Sequence, residues 1–214
     1  MFKEEALFLT GPAGKLEARV TTQSLVPIVG IFCHPHPLHE GTFNNKVVST
    51  VVKAWYGLGL STIRFNFRGV GQSEGQYNQG IGETADLKAV IAWAMQKYPN
   101  HQLWLGGFSF GSGIAFQAAK SVFAEHLLLV APPVHHMDFQ GIVSLSSLTD
   151  CAVIQGGQDE IVSFDSVKQW YDQSVKQHPI QFWQIPTASH FFHGQLIELR
   201  DLVVAACPLI QQVD

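Results

Sequence analysis

Short apolar runs alternate along this chain with longer stretches of helical periodicity, and this alternation constrains the fold more than any other feature. Runs rich in Val, Ile, Leu and Phe, such as residues 26–33, 60–67 and 101–108, are bounded by Gly or Pro. A strand that is apolar throughout is buried on both faces, which is typical of a parallel sheet covered by helices. The sequence therefore predicts the α/β class, with about eight strands.

The two ends of the chain extend this pattern. Residues 2–10 and 16–22, joined around Gly11-Pro12-Ala13-Gly14, predict an opening antiparallel hairpin. A closing helix is predicted over residues 195–210. With 214 residues, 46% of them hydrophobic, and no visible repeat or linker, the chain suits a single domain over residues 1–214. Residues 132–149 are too few for a separate lid domain, so we expect an open site.

Charge and cysteine content limit the classes of binding partner and the cellular compartment that we expect for this chain. The formal net charge is −4 and no run of Lys or Arg occurs, so we expect no nucleic-acid partner. No apolar stretch reaches membrane-spanning length and the first residues lack signal-peptide features, so no membrane partner is expected either. Cys33, Cys151 and Cys207 are predicted to be buried, reduced thiols. We expect a cytoplasmic protein, as a monomer or a small homo-oligomer.

A serine flanked by glycines follows the predicted strand over residues 101–105. The segment Gly107-Phe108-Ser109-Phe110-Gly111 has the pattern GxSxG. In a nucleophile elbow with this pattern, the serine lies on a sharp turn between strand and helix, where side chains at the glycine positions collide with backbone. The pattern predicts that Ser109 is a nucleophile, and the alternative is a small residue at a helix start.

An acid and a histidine come later in the chain, each just past the end of a predicted strand. Asp159 follows the strand that ends near Gln155, and His190 follows the strand over residues 180–185. A serine hydroxyl needs a base to take its proton, and the base needs an acid that fixes its tautomer. Because the carboxyl ends of parallel strands share one edge of a sheet, we predict that Ser109, Asp159 and His190 meet there as a catalytic triad.

Two neighbouring residues offer alternatives to this assignment. Glu160 could replace Asp159 as the acid, although the turn begins at Asp159, and either residue could only cap the next helix. His193 could replace His190, but His190 is nearer the strand end and His193 could line the site or cap a helix. We therefore favour Asp159 and His190.

Acyl transfer also needs N–H donors for the oxyanion that develops on the substrate. The residue after the nucleophile, Phe110, is expected to supply the first donor, and the loop after the first central strand the second. Pro35 and Pro37 in that loop have no N–H, which leaves His36 or Leu38. We favour His36.

The same loop contains four potential zinc ligands, His34, His36, His39 and Glu40. Two prolines stiffen the segment as a loop, and no second cluster of ligands is evident elsewhere in the sequence. We therefore expect no metal site here.

A glycine-rich loop follows the predicted strand over residues 60–67. Gly69 and Gly71 have the spacing of a dinucleotide-binding fingerprint, but Glu74 stands where the third glycine is required. We expect instead a tight, polar crossover loop whose arginine is held by a carboxylate, and no cofactor.

Taken together, these motifs resemble the α/β-hydrolase superfamily, in particular its small, lidless bacterial branch of serine hydrolases related to dienelactone hydrolases and acyl-peptidase catalytic domains. The resemblance spans nearly the whole chain. It is carried by His34-Pro35-His36-Pro37 with Asn44-Asn45-Lys46-Val47-Val48, by the loop over residues 64–75 with Gly82-Glu83 and Asp86, and by the segment over residues 107–111 with Asp159 and His190-Phe191-Phe192. It implies a mostly parallel eight-stranded sheet, with Ser109 as nucleophile, Asp159 as acid and His190 as base.

Two positions depart from the pattern of these relatives. Asn66 stands where many of them carry aspartate, and Ser189 stands where this branch often has aspartate before the histidine. Neither departure removes a member of the triad.

The predicted function is that of a serine hydrolase, resembling a carboxylesterase, which cleaves a small ester or related acyl compound through an acyl-enzyme. Thioesterases, amidases, peptidases and lactone hydrolases share this constellation, and a non-catalytic binding protein on the same scaffold is the alternative from another class. Aromatic residues near the predicted rim suggest an apolar acyl pocket. They are Phe43, Tyr77, Phe108, Phe110 and Phe191, and the alternative is that many of them belong to the core.

Overall fold

The computed structural model describes residues 2–208, which form one eight-stranded sheet with five α-helices. The strands are β1 Glu5–Gly11, β2 Gly14–Thr21, β3 Ile28–Cys33, β4 Ser61–Phe65, β5 Gln102–Phe108, β6 His126–Val130, β7 Asp150–Gly156 and β8 Ile180–Ile185. The helices are α1 Lys46–Gly57, α2 Ile81–Lys97, α3 Phe110–Ala119, α4 Phe164–Ser174 and α5 Leu196–Ala205.

The order of strands across the sheet is β1-β2-β4-β3-β5-β6-β7-β8. β1 pairs antiparallel with β2, and β2 pairs antiparallel with β4, whereas the ladder from β4 through β3 to β8 is parallel throughout. The predicted α/β class and the mostly parallel sheet are confirmed. The opening hairpin is also present, and Gly11 pairs with Gly14 across its two-residue turn.

The sheet is covered by helices on both faces, and side chains alternate between the two cores along each strand. On β5, Leu103 and Leu105 join the core formed with α2, α3 and α4, while Trp104 and Phe108 join the core formed with α1 and α5. Both layers are closely packed. The fully buried rings of Trp55 on α1 and Trp104 meet edge to face at 6.0 Å.

Several elements end earlier than the sequence predicts. The helix predicted over residues 164–177 ends at Ser174, because the chain then turns so that the buried His178 ring can hydrogen-bond Thr149 O at 2.9 Å. β4 ends at Phe65, where Asn66 N turns to donate to Glu17 O. The closing helix predicted over residues 195–210 is present as α5 but ends at Ala205, and residues 206–208 are not helical; positions 209 and 210 lie outside the described residues.

The connection over residues 132–149 contains a single turn of 3-10 helix, Ile142–Ser144, and no further regular element. Within residues 2–208, no helix is both long enough and apolar enough to cross a membrane.

Candidate active site

Ser109 lies in the tight turn between β5 and α3, in a backbone conformation that L-residues rarely adopt, with φ 53° and ψ −122°. The flanking glycines allow this turn. A Cβ on Gly107 would come within 2.2 Å of the Gly111 backbone, and a Cβ on Gly111 within 2.4 Å of His34 O. The turn therefore has the geometry of the predicted elbow, and any side chain at either glycine would push it open.

The three residues predicted to form the triad meet at the carboxyl edge of the sheet. His190 Nε2 lies 3.1 Å from Ser109 Oγ, and His190 Nδ1 lies 2.8 Å from Asp159 Oδ2. The three residues are almost fully buried, and the His190 ring packs against Phe108, with 4.9 Å between ring centroids. In this arrangement His190 Nδ1–H can donate a hydrogen bond to Asp159, which leaves Nε2 free to accept the proton of the serine.

The Asp159 carboxylate is held by its own loop as well as by the histidine. Oδ1 accepts the N–H groups of Ile161 at 2.9 Å and Val162 at 2.7 Å, and Oδ2 also accepts Gln155 Nε2 at 3.1 Å. These donors fix the orientation of the carboxylate. The side chain therefore has little freedom to turn away from His190.

The alternatives to Asp159 and His190 have other positions. The Glu160 side chain accepts the backbone N–H of His190 at 3.1 Å and so contacts the histidine through its main chain. His193 is exposed, and its ring lies beside Phe191. Of the two acids and two histidines considered from the sequence, only Asp159 and His190 have their side chains joined.

The two predicted oxyanion donors, Phe110 and His36, line the same cavity as the serine. Phe110 begins α3, so its N–H has no acceptor within the helix. Leu38 N–H donates to His36 Nδ1 at 3.2 Å and the Leu38 side chain is 66% exposed, so this N–H is already engaged. The N–H of His36 donates to no acceptor within the described part of the chain. His36 also lines the same cavity as Ser109, so it is the better placed of the two candidates.

A cavity of about 540 Å³ opens directly onto Ser109 and His190. Its lining is Pro35, His36, His39, Tyr77, Gln79, Ser109, Phe110, Pro133, His136, Met137, Ile161, Val162, His190 and Phe191. None of these residues is Asp, Glu, Lys or Arg, so the cavity offers no fixed charge partner. An uncharged substrate suits such a lining better than an ionised one.

Sequence reasoning found only part of this lining. Tyr77, Phe110 and Phe191 line the cavity as expected, whereas Phe43 and Phe108 are core residues that are not among its lining. The residues contributed by the connection over 132–149 were missed, among them Met137. The sequence of α3 does contain an indication of the Met137 contact, namely Gly113. A Cβ on Gly113 would come within 2.4 Å of Met137 Sδ. A glycine inside a helix often marks such a close approach.

His34, the first of the potential zinc ligands, uses both ring nitrogens within the protein. Nδ1 donates to Pro35 O at 2.7 Å and Nε2 accepts Phe67 N–H at 3.0 Å. Burial lowers the pKa of His34 to about 4, so the ring is neutral near pH 7. Its function is to tie the loop after β3 to the loop after β4. Within residues 2–208, no three His, Cys, Asp or Glu side chains are grouped so as to hold a metal ion.

The loop after β4 is a polar crossover whose arginine is held by a carboxylate, as the sequence indicates. The Arg68 guanidinium donates from Nε to Asp86 Oδ2 at 2.9 Å and from Nη2 to Oδ1 at 2.7 Å. Arg68 N–H also donates to Asp86 Oδ2, at 3.1 Å. This bidentate pair fixes the loop to α2.

Asn66, which departs from the aspartate that the family resemblance implies, lies against a buried acid. Its Nδ2 donates to Glu17 Oε2 at 2.9 Å, and its Oδ1 accepts Phe43 N–H, also at 2.9 Å. Glu17 Oε2 accepts Gln72 N–H as well, at 3.0 Å. An amide can donate to a carboxylate and a second carboxylate cannot, so the departure at position 66 matches the presence of Glu17.

Comparisons with known proteins agree with this fold. The family model of the alpha/beta hydrolase fold matches residues 41–137. An uncharacterized protein of Rickettsia prowazekii is 38% identical over 211 residues, which cover 92% of this chain and 86% of that protein.

Two solved structures are similar over nearly their whole length. An alpha-beta serine hydrolase homologue from Coxiella burnetii has 44% identity and a TM-score of 0.88, covering 97% of this chain and 99% of that one. A lidless a/b serine hydrolase from Xanthomonas campestris has 36% identity and a TM-score of 0.88, covering 96% and 94%. The fold and site thus define an α/β serine hydrolase. The chain belongs to the small, lidless branch of the α/β-hydrolase superfamily.

Proposed function

We propose that this protein is a carboxylesterase-like serine hydrolase that cleaves a small ester or related acyl substrate through an acyl-enzyme. The observation that carries the proposal is the chain of contacts from Ser109 Oγ to His190 Nε2 at 3.1 Å and from His190 Nδ1 to Asp159 Oδ2 at 2.8 Å. Both distances are within hydrogen-bond reach, which is the geometric requirement for an activated serine.

In the acylation step, Ser109 Oγ attacks the carbonyl carbon of the substrate while His190 Nε2 takes the serine proton. The carbonyl oxygen becomes an oxyanion, which the N–H groups of Phe110 and His36 stabilise. When the tetrahedral intermediate collapses, the bond to the leaving alcohol breaks and the alcohol takes the proton from His190. Asp159 stays ionised and stabilises the imidazolium throughout.

In the deacylation step, water replaces the alcohol. His190 Nε2 takes a proton from the water as its oxygen attacks the acyl carbon, and the same two N–H groups stabilise the second oxyanion. Collapse releases the carboxylic acid and returns the proton to Ser109. The mechanism uses only residues of this chain and water, without a metal ion or other cofactor.

The cavity supports a small, uncharged acyl compound as substrate. Its volume of about 540 Å³ is within the usual range for small-molecule sites, and Phe110, Ile161, Val162 and Phe191 supply apolar surface. The connection over residues 132–149 contains no regular element beyond the turn Ile142–Ser144 that could cover the cavity. This supports entry of the substrate from solvent.

We further propose that residues 1–214 form a single domain which acts in the cytoplasm as a monomer or small homo-oligomer. In support of a reducing compartment, Cys33 and Cys151 are buried, Cys207 is half-buried, and all three are free.

The proposal is tested by hydrolysis of p-nitrophenyl esters of short and medium acyl chains, with fluorophosphonate labelling run in parallel. The wild type should turn over and label stoichiometrically, and Ser109→Ala should lose both signals. Ser121→Ala is the matched control, because Ser121 follows α3 at its far end and is exposed. Rates of hydrolysis of a thioester and an amide with the same acyl group show which type of bond the protein cleaves fastest. A wild type that neither labels nor turns over an acyl compound would favour a binding protein on the same scaffold.

A further inference from the structure

The rings of His36 and Tyr77 form a pair on the wall of the cavity that holds Ser109. His36 Nε2 lies 3.2 Å from Tyr77 Oη, and both residues line the cavity. The His36 ring packs against Phe110 with 4.8 Å between centroids, and the Tyr77 ring lies 6.0 Å from it. The pair is therefore fixed against the residue that immediately follows the serine.

The other nitrogen of the His36 ring determines the direction of this hydrogen bond. Nδ1 accepts the backbone N–H of Leu38 at 3.2 Å, and a backbone N–H can only donate. Nδ1 is therefore unprotonated. Burial, with the nearby His39, lowers the pKa of His36, so the ring is neutral near pH 7 and its single proton is on Nε2.

It follows that Nε2–H donates to Tyr77 Oη, and that the tyrosine proton must point elsewhere. Burial, and secondarily the negative charge of Glu83, raises the pKa of Tyr77, so the phenol keeps its proton. Tyr77 Oη contacts no second acceptor within residues 2–208. The Glu83 carboxylate is itself occupied by the N–H groups of Asn78 and Gly80. The hydroxyl proton is thus available to a molecule in the cavity.

We propose that the Tyr77 hydroxyl is a substrate-binding donor that selects esters carrying a second, uncharged oxygen acceptor near the bond that is cut. This inference rests on the proposed function. Tyr77 is half-buried at the cavity wall, so a bound hydrocarbon chain would displace water from its hydroxyl without offering a hydrogen bond in return, which is destabilising. Because the lining holds no Lys or Arg, an ether, hydroxyl or keto oxygen suits the site better than a carboxylate. Tyr77 is in this account a specificity-determining residue.

The test compares esters that differ only by a methylene group replaced with oxygen. In the acyl part, the pair is p-nitrophenyl pentanoate and p-nitrophenyl 3-methoxypropanoate. In the alcohol part, the pair is butyl acetate and 2-methoxyethyl acetate. For each pair the preference is the kcat/KM of the ether ester divided by that of the hydrocarbon ester. Dividing the wild-type preference by that of Tyr77→Phe cancels the intrinsic reactivity of the esters.

We expect this double ratio to be about threefold to tenfold in at least one pair, the effect of one hydrogen bond to an uncharged acceptor. A double ratio of one in both pairs overturns the inference. Tyr171→Phe is the matched control, because Tyr171 lies on α4 and is not among the cavity-lining residues. This control should keep the wild-type preference, and an equal loss in it would also overturn the inference.

A second measurement needs no substrate. A long-range ¹H–¹⁵N spectrum of the histidine-labelled protein at neutral pH should give His36 with a protonated Nε2 and an unprotonated Nδ1, and the opposite tautomer overturns the inference. The two proposals fail in different ways. A wild type that labels with fluorophosphonate but gives a double ratio of one rejects only the role of Tyr77, whereas a wild type that does not label rejects both.

Discussion

The Glu160 side chain accepts the backbone N–H of His190 at 3.1 Å, while the adjacent Asp159 accepts the ring N–H of the same histidine at 2.8 Å. Two consecutive acids thus hold one histidine by its main chain and by its side chain. Asp159 is buried with Oδ1 held by two backbone N–H groups, whereas Glu160 is exposed. We therefore expect Asp159 to set the tautomer of His190 and Glu160 to position the loop that carries it.

Substitutions at Glu160 should therefore have smaller effects than those at Asp159. Glu160→Ala removes the acceptor for His190 N–H and should lower kcat/KM by about threefold to tenfold. Glu160→Gln keeps a side-chain oxygen and should stay within about twofold of the wild type. Asp159→Asn, which favours the wrong tautomer of His190, should lower kcat by about 10³-fold or more. Steady-state ester hydrolysis measures all three, and equal losses in Glu160→Gln and Asp159→Asn would contradict these roles.

The pair of Asn66 and Glu17 should behave as a coupled unit in stability measurements. Asn66→Asp places two carboxylates in hydrogen-bond contact inside the protein and should lower the free energy of unfolding at neutral pH by about 2 kcal/mol. Adding Glu17→Gln restores a donor opposite the new carboxylate, so the double variant should recover at least half of the loss. Urea unfolding of the four proteins gives the cycle. Strictly additive losses would show that the two side chains are not coupled.

Acidification should destabilise the protein through His34. Its pKa in the folded protein is about 4, against an ordinary 6.5, so between these values the unfolded chain binds a proton that the folded protein excludes. Stability should therefore fall as the pH drops from about 6.5 to about 4, by on the order of 3 kcal/mol, with no further contribution from His34 at lower pH.

The control for this pH dependence is His34→Gln, which cannot titrate. The pKa values of His36 and His101 are also lowered by burial, but both residues remain in the variant, so the difference between the two proteins isolates His34. Urea unfolding at several pH values between 7 and 4 measures the slopes. Equal slopes in wild type and variant would contradict the account.

The features that the sequence could predict are those with local causes. The turn at Ser109 needs glycine at positions 107 and 111, because a Cβ at either position would lie within 2.5 Å of a backbone atom. The GxSxG motif contains both glycines, so the sequence predicts the turn. The buried strands can be predicted because a strand buried on both faces of a parallel sheet is apolar throughout. The chain order of Ser109, Asp159 and His190 then needs only the shared edge of the sheet to bring them near one another.

The features that the sequence could not predict depend on long-range contacts. β7 begins at Asp150, earlier than its apolar run suggests, because the Asp150 carboxylate pairs with the buried His126 ring at 2.7 Å. The placement of Met137 on the cavity wall depends on how the connection over residues 132–149 packs against α3. The hydrogen bond from His190 N–H to the Glu160 side chain joins two loops, and no spacing of residues in the sequence predicts it.

Trapping the acyl-enzyme tests directly whether Ser109 is the nucleophile. Wild-type protein is mixed with p-nitrophenyl butanoate, quenched in acid within the first turnover, and examined by intact mass and peptide mapping. We expect one butanoyl group on the peptide that contains Ser109, and no acylation of that peptide in Ser109→Ala. Turnover of the ester with the acyl group on another residue, or equal acylation of the variant protein, would contradict this role of Ser109.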